Sequence, residues 1–211
     1  MPGTRRVFIR PYRITNIGGE RLENRQFSLR EHLANIILPE EEIQSRVREL
    51  AEQITSHYLE QNAPGLVVVG ILRGAVVFMS DLIRCLPLPL TIDFMAISSY
   101  GGSTTSSGAV RILKDISESI EGKHVLVVED IVDTGLTLNN LLDVLRARKP
   151  RSLAVCALLN KPARRKVAVA VDFCGFEIPD EFVVGYGLDF AGQYRHLPYI
   201  GVLKPEIYNT T

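Results

Sequence analysis

Neither sign of charge is in excess in this 211-residue chain: 24 Lys and Arg stand against 24 Asp and Glu, for a formal net charge of zero. The chain thus lacks the basic surplus by which proteins hold nucleic-acid phosphates, so no nucleic-acid partner is expected and any electrostatic function has to be local. Cysteine is scarce. Cys85, Cys156 and Cys174 lie far apart in apolar segments, and an odd, scattered set describes no disulfide framework. A reducing, cytoplasmic setting fits. No apolar run approaches the roughly 18 residues of a membrane span, and Arg5, Arg6 and Arg10 have no apolar segment behind them that would make an export signal. The expectation is a protein neither exported nor inserted. His32, His57, His124 and His196 are isolated from one another and from the cysteines, so no zinc pattern is present and a metal would take oxygen ligands. The phosphate loop G-x-x-x-x-G-K-[ST] and the dinucleotide fingerprint G-x-G-x-x-G are missing too.

Residues 1–35 are polar, rich in arginine and weakly periodic, and read as an N-terminal arm, flexible unless something outside it supplies order. Residues 36–211 read as one domain. Pro39 followed by Glu40, Glu41 and Glu42 suits a helix start, because proline fits the first turn and acids favour the positive end of the helix dipole. Ile43, Val47, Leu50, Ala51 and Ile54 then share one face. Leu66 to Gly70 is a short unbroken apolar run of the kind buried on both faces of a parallel sheet. A helix from Gly74 follows, with Met79, Leu82, Ile83 and Leu86 on one side. Strands are expected at 91–98 and 109–114, joined by a loop crowded with Ser, Thr and Gly, and a second strand-turn-helix spans 125–128 and 137–147. Further strands are expected at 153–159 and near 168–173, 182–186 and 199–203. Alternating strands and helices point to an α/β domain with a central, mainly parallel sheet.

The chemistry concentrates in Val125-Leu126-Val127-Val128-Glu129-Asp130-Ile131-Val132-Asp133-Thr134-Gly135-Leu136-Thr137. Its acids stand where a buried strand ends, and ligands of open α/β sheets bind outside the carboxyl ends of the strands. Thr134, Gly135 and Thr137 put small side chains and hydroxyls at a helix N-terminus, where free N–H groups favour phosphate. Asp133 or Thr134 alone could be a plain N-cap. That reading does not explain Glu129 and Asp130, two adjacent carboxylates that repel each other unless a cation or ligand hydroxyls compensate. An acid cluster beside a phosphate cradle suggests a sugar phosphate with Mg²⁺.

This segment resembles the PRPP-binding signature of the type I phosphoribosyltransferases, where PRPP is phosphoribosyl pyrophosphate. Phe176 to Asp189, Phe-Glu-Ile-Pro-Asp-Glu-Phe-Val-Val-Gly-Tyr-Gly-Leu-Asp, is similar to the hypoxanthine-guanine branch. The resemblance runs from about residue 36 to 208. It implies the type I fold, a mainly parallel sheet flanked by helices with a small hood lobe built from the chain ends, and a salvage enzyme joining hypoxanthine or guanine, with xanthine as a further candidate, to PRPP. In such enzymes Glu129 and Asp130 hold the ribose hydroxyls directly or through Mg²⁺, Asp133 to Thr137, with Thr134, Gly135 and Leu136 between them, wraps the 5′-phosphate, and Asp133 accepts the purine N7 proton. Gly70 to Gly74 form a pyrophosphate loop that presents Leu72, Arg73 and Gly74, often with a cis peptide between Leu72 and Arg73. Ser99 and Tyr100 open a mobile lid running to Gly108, and Arg195 reaches pyrophosphate. On the base side stand Ile131, Lys161 as donor to O6, Phe182 as stacking ring, Val183 through its backbone and Asp189 as ligand of a second Mg²⁺. Taken singly, Arg73 and Arg195 read as exposed arginines, the 99–108 run as a surface loop, Lys161 as a solvated strand-end lysine, Phe182 as core and Asp189 as a turn residue. The family forms homodimers or homotetramers. A regulator that keeps the fold as a PRPP sensor is the competing reading, and the Arg-rich arm is the feature that favours it.

Overall fold

The computed structural model describes residues 29–99 and 110–209. A six-stranded sheet in the order β4-β3-β2-β5-β6-β7 forms the body: β2 (Leu66–Leu72), β3 (Leu90–Ser99), β4 (Val110–Lys114), β5 (His124–Val132), β6 (Ser152–Asn160) and β7 (Phe173–Glu177). All neighbours are parallel except β4, which returns antiparallel to β3 at the edge. A three-stranded sheet, β1 (Leu33–Leu38), β9 (Ile200–Leu203) and β8 (Val183–Val184), joins the two chain ends into the expected small lobe.

Period-two alternation places the core. Along β2 and β5, Val68, Leu126 and Val128 face α1 (Glu40–Glu60) and α2 (Ala75–Cys85), while Val69, Val125 and Val127 face α3 (Leu136–Arg146). The helix faces read from spacing are the buried ones: Ile43, Val47, Leu50, Ala51 and Ile54, joined by Tyr58, in α1, and Met79 and Leu82 in α2. Pro39 stands just outside α1 and its carbonyl accepts the first helical bond from Ile43 N at 3.1 Å. A third, smaller core of Leu33, Val184, Tyr194, Leu197 and Leu203 fills the small lobe.

Three expectations shift. β1 begins at Leu33, before the boundary drawn at residue 35, because Leu33 finds its partner at Leu203. No strand forms at 168–172 and β7 starts at Phe173; just before this stretch the N–H groups of Lys166 and Val167 bond Thr134 O at 2.9 and 3.4 Å. The strand expected over 182–186 is confined to Val183–Val184, after which Gly185, Tyr186 and Gly187 take positive φ and turn the chain. The Ser99-to-Gly108 lid, from Tyr100 on, and residues 1–28 lie outside the described residues. Among the described residues no helix is long and apolar enough to cross a membrane, and all three cysteines are free.

Burial sets the energetic weight of these contacts. Leu50→Ala should lower the unfolding free energy by about 2–5 kcal/mol. Leu59, 62% exposed on the other side of α1, should change it by less than about 0.5 kcal/mol when made Ala. Urea titration of the two variants checks the assignment of faces.

Candidate active site

β2 and β5 run side by side from Leu66 and His124 to Gly70 and Val128 and then part. β2 stays with β3 as far as Leu72 and Ala96, and β5 stays with β6 as far as Val132 and Asn160. The parting lies where the strand order reverses direction, the position at which open α/β sheets bind ligands. Glu129 and Asp130 are the first β5 residues beyond it, so the sheet continues through the acids on the β6 side and opens on the β2 side.

The opposite wall is Leu72-Arg73-Gly74, with a cis peptide between Leu72 and Arg73. A Cβ on Gly74 would fall 1.5 Å from Asp130 Oδ2, so glycine alone lets the carboxylate lie against this loop. The 185–195 segment closes the third side. A Cβ on Gly187, whose φ is +103°, would meet Gly74 O at 2.1 Å. Arg195 donates from Nη1 to Gly187 O at 2.5 Å and pairs through Nη2 with Asp189 Oδ1 at 2.6 Å. Burial pushes the Asp130 carboxyl up to about 6, a rise that Arg195 opposes and Asp189 adds to. Burial, then the Asp130 charge, drives Glu129 well above the carboxylate range, and Glu129 Oε2 is buried with no hydrogen-bond partner.

Asp133, Thr134 and Gly135 link β5 to α3. Gly135 sits at φ +81°, which glycine adopts freely, and the first turn, with Leu136 and Thr137, carries N–H groups without helical acceptors. Thr134 Oγ1 accepts a long 3.4 Å bond from Leu136 N. Asp133 does not cap the helix; it pairs with Arg164 Nε at 2.8 Å. Behind the loop, a Cβ on Gly135 would approach Arg165 Nη1 and Val167 O to 3.0 Å.

Lys161 follows β6, its N–H bonded to Val132 O at 2.9 Å. The side chain is not solvated: the residue is 7% exposed, and Nζ donates to Glu181 O at 2.5 Å. Burial lowers its pKa, against the opposing charges of Asp133 and Asp180. Arg164 also reaches Asp180, at 3.2 Å, and so bridges two carboxylates. Phe182 is 40% exposed rather than core, and Val183 follows it as the first residue of β8. Ile131, partly buried in β5, packs on the α1 and α2 side.

The structure therefore brings Leu72, Gly74, Glu129, Asp130, Asp189 and Arg195 to one end of the cleft, and Asp133 and Lys161 to the other. Arg73 is exposed, and Ser99 closes β3. Tyr100 lies outside the described residues. Among the described residues no three acidic, imidazole or thiol groups converge as a metal cluster. Asp189 is occupied by Arg195 and by Gly192 N at 2.9 Å. Sequence reasoning missed Arg164, Arg165 and Asp180. The signal was the cationic run Arg164-Arg165-Lys166 close behind Lys161, whose partners lie on other elements. A cavity of about 440 Å³ lies at the amino ends of β2, β3 and β5. It shares no residue with this cleft, and its buried His124 is tied to Ser152 at 2.7 Å.

The family model for the phosphoribosyl transferase domain matches residues 34–191, and the chain belongs to the phosphoribosyltransferase family. Within it, the chain is similar to the hypoxanthine-guanine phosphoribosyltransferase of Bacillus subtilis, 49% identical over 182 residues that cover 86% of this chain and 99% of that protein. A crystal structure of a hypoxanthine phosphoribosyltransferase from Staphylococcus aureus superposes with a TM-score of 0.81 at 51% identity, covering 85% of this chain and 96% of that one. The bifunctional protein TilS/HprT of Listeria innocua is 47% identical over 194 residues, which cover 92% of this chain; the chain spans 28% of that relative's length.

The acid pair also sets a pH dependence. A carboxyl held above its unfolded value contributes stability that is present below about pH 4 and lost as the pH rises through about 6. Asp130→Asn removes that loss while keeping an acceptor for Ile131 N, bonded at 3.0 Å. The ligand-free variant should melt above the parent at pH 7.5 and with it near pH 4, in thermal scans at matched ionic strength.

Proposed function

We propose that the protein transfers the 5-phosphoribosyl group of PRPP to N9 of a 6-oxopurine, hypoxanthine or guanine and with xanthine as a further candidate, giving IMP or GMP and pyrophosphate. The observation that carries this is the convergence, where β2 and β5 part, of a half-buried acid pair, a helix N-terminal phosphate loop and a buried lysine. The family match and the relatives support it.

The donor set fits Mg²⁺. Glu129 Oε2 is buried without a partner and both carboxyls are lifted by burial, Glu129 by its neighbour's charge as well, and Mg²⁺ commonly uses one or two carboxylates together with substrate phosphates and water. Glu129 and Asp130 would hold it beside the ribose hydroxyls, and Asp189 a second ion on the pyrophosphate side once Arg195 turns to substrate. When bound, Mg²⁺ neutralises charge on the departing pyrophosphate.

The backbone of Asp133 to Thr137 binds the 5′-phosphate, and Leu72 to Gly74 with Arg195 receive pyrophosphate. The C1′–O bond to pyrophosphate breaks as the C1′–N9 bond forms, and the proton on N7 passes to Asp133. Glu129 and Asp130 stabilise the positive charge that develops on the ribose only in the transition state. Lys161 donates to O6, Ile131 and Phe182 flank the ring, Val183 meets its edge through the backbone, and the Ser99–Tyr100 lid excludes water. Adenine presents an amino group to the Lys161 donor, and an unpaired buried polar contact is costly. A cytoplasmic homodimer or homotetramer, with the first 30 residues dispensable for catalysis, completes the reading.

Ultraviolet detection of nucleotide formation with PRPP, Mg²⁺ and each of hypoxanthine, guanine, xanthine and adenine tests it. Product is expected with the first two and none with adenine; no product with any 6-oxopurine, from folded protein that binds PRPP, would favour the sensor. Asp133→Asn should lower turnover at least about 10²-fold while PRPP still binds. Near-normal turnover would remove Asp133 from the proton-accepting role.

A further inference from the structure

Phe182 has a second ring behind it that the mechanism above does not use. The ring stacks on Tyr208 with centroids 4.9 Å apart and planes 23° from parallel, and Phe190 meets it edge-on at 5.8 Å and 89°. Tyr208 is the last residue of α4 (Pro205–Tyr208), the short helix after β9. That helix is fastened to the small lobe: Lys204 N donates to His32 O at 3.0 Å, and Ile207 and Tyr208 pack on the core of Leu33, Val184 and Leu203. Phe182 is fixed at its backbone as well, its carbonyl accepting from Leu203 N at 2.8 Å.

A planar ring has two faces. Tyr208 covers one, Phe190 stands perpendicular to the ring, and Phe182 still keeps 40% of its surface exposed. Aromatic pairs in this geometry resist tilting, because both the stack and the edge contact weaken when the ring turns. A side chain already held in its binding orientation has little freedom left to lose when a ligand arrives.

We infer that Tyr208 is a positioning residue for the purine: it backs Phe182 so that the open face is presented flat to the base, and it makes α4 part of base recognition. This rests on the reading that the purine stacks on Phe182. The ring of Tyr208 carries the effect, and the hydroxyl is not needed.

Steady-state kinetics with hypoxanthine and PRPP varied separately test the inference. Tyr208→Ala should raise KM for hypoxanthine about 3- to 10-fold, with KM for PRPP and kcat within about twofold of the parent, and Tyr208→Phe should restore the parent value. Tyr208→Leu fills the space without a ring and should behave like Tyr208→Ala, which covers the case in which Tyr208→Ala does not fold. An unchanged hypoxanthine KM in the ringless variants overturns the inference. So does a lowered one, which would put Tyr208 on the purine's own side of Phe182, and so does a Tyr208→Phe variant as weak as Tyr208→Ala. Phe182→Leu separates the two readings. If it leaves hypoxanthine KM unaltered, base stacking fails and this inference with it; if it raises KM while the Tyr208 variants do not, only the role of Tyr208 falls.

Discussion

Two carboxylates side by side, half-buried beyond the point where β2 and β5 stop pairing, are the constraint on which the rest of the molecule depends. Burial disfavours the charge of both, and the Asp130 charge adds to the rise at Glu129; a fold tolerates such a defect when a ligand or cation resolves it. Everything needed to keep them there is assembled around them. Buried valines on both faces of β5 hold the strand, Gly74 leaves room for Asp130, and Arg195 supplies a cation that favours the Asp130 charge. The stability given up at the cleft is recovered in the apolar layers below it.

The other half of the cleft is held by ion pairs rather than by packing. Arg164 bridges Asp133 and Asp180, and Lys161 lies 3.9 Å from Asp180 while donating to Glu181 O. The two Arg164 pairs are exposed and contribute little to stability, so their effect is to keep opposite charges near the reacting groups without locking them. Substrate entering this end exchanges partners among charges already present.

Much of this could be read in the chain itself. The face of α1 follows from the recurrence of Ile43, Val47, Leu50, Ala51 and Ile54, and β2 and β5 from unbroken apolar runs, because local period decides such elements. The acid pair and phosphate loop were legible because they are contiguous. β1 was not, because Leu33–Leu38 becomes a strand only through β9. The stretch before Phe173 misleads in the opposite sense: Val167, Val169 and Val171 alternate as a strand would, and Val169 and Val171 do pack on the α3 side, yet the backbone of Lys166 and Val167 is spent on Thr134. Arg164, Asp180 and Tyr208 acquire their partners between elements, where neither period nor motif reports.

The meeting of Gly74 and Gly187 has a consequence for how the two lobes are gauged. These residues, distant in sequence, touch main chain to main chain, with no side chain between them. The spacing between the β2 loop and the 185–195 segment is therefore fixed by the covalent thickness of the polypeptide. Side-chain size cannot tune it, and substitutions elsewhere can reshape the cleft's walls while its aperture at this corner keeps the same calibration.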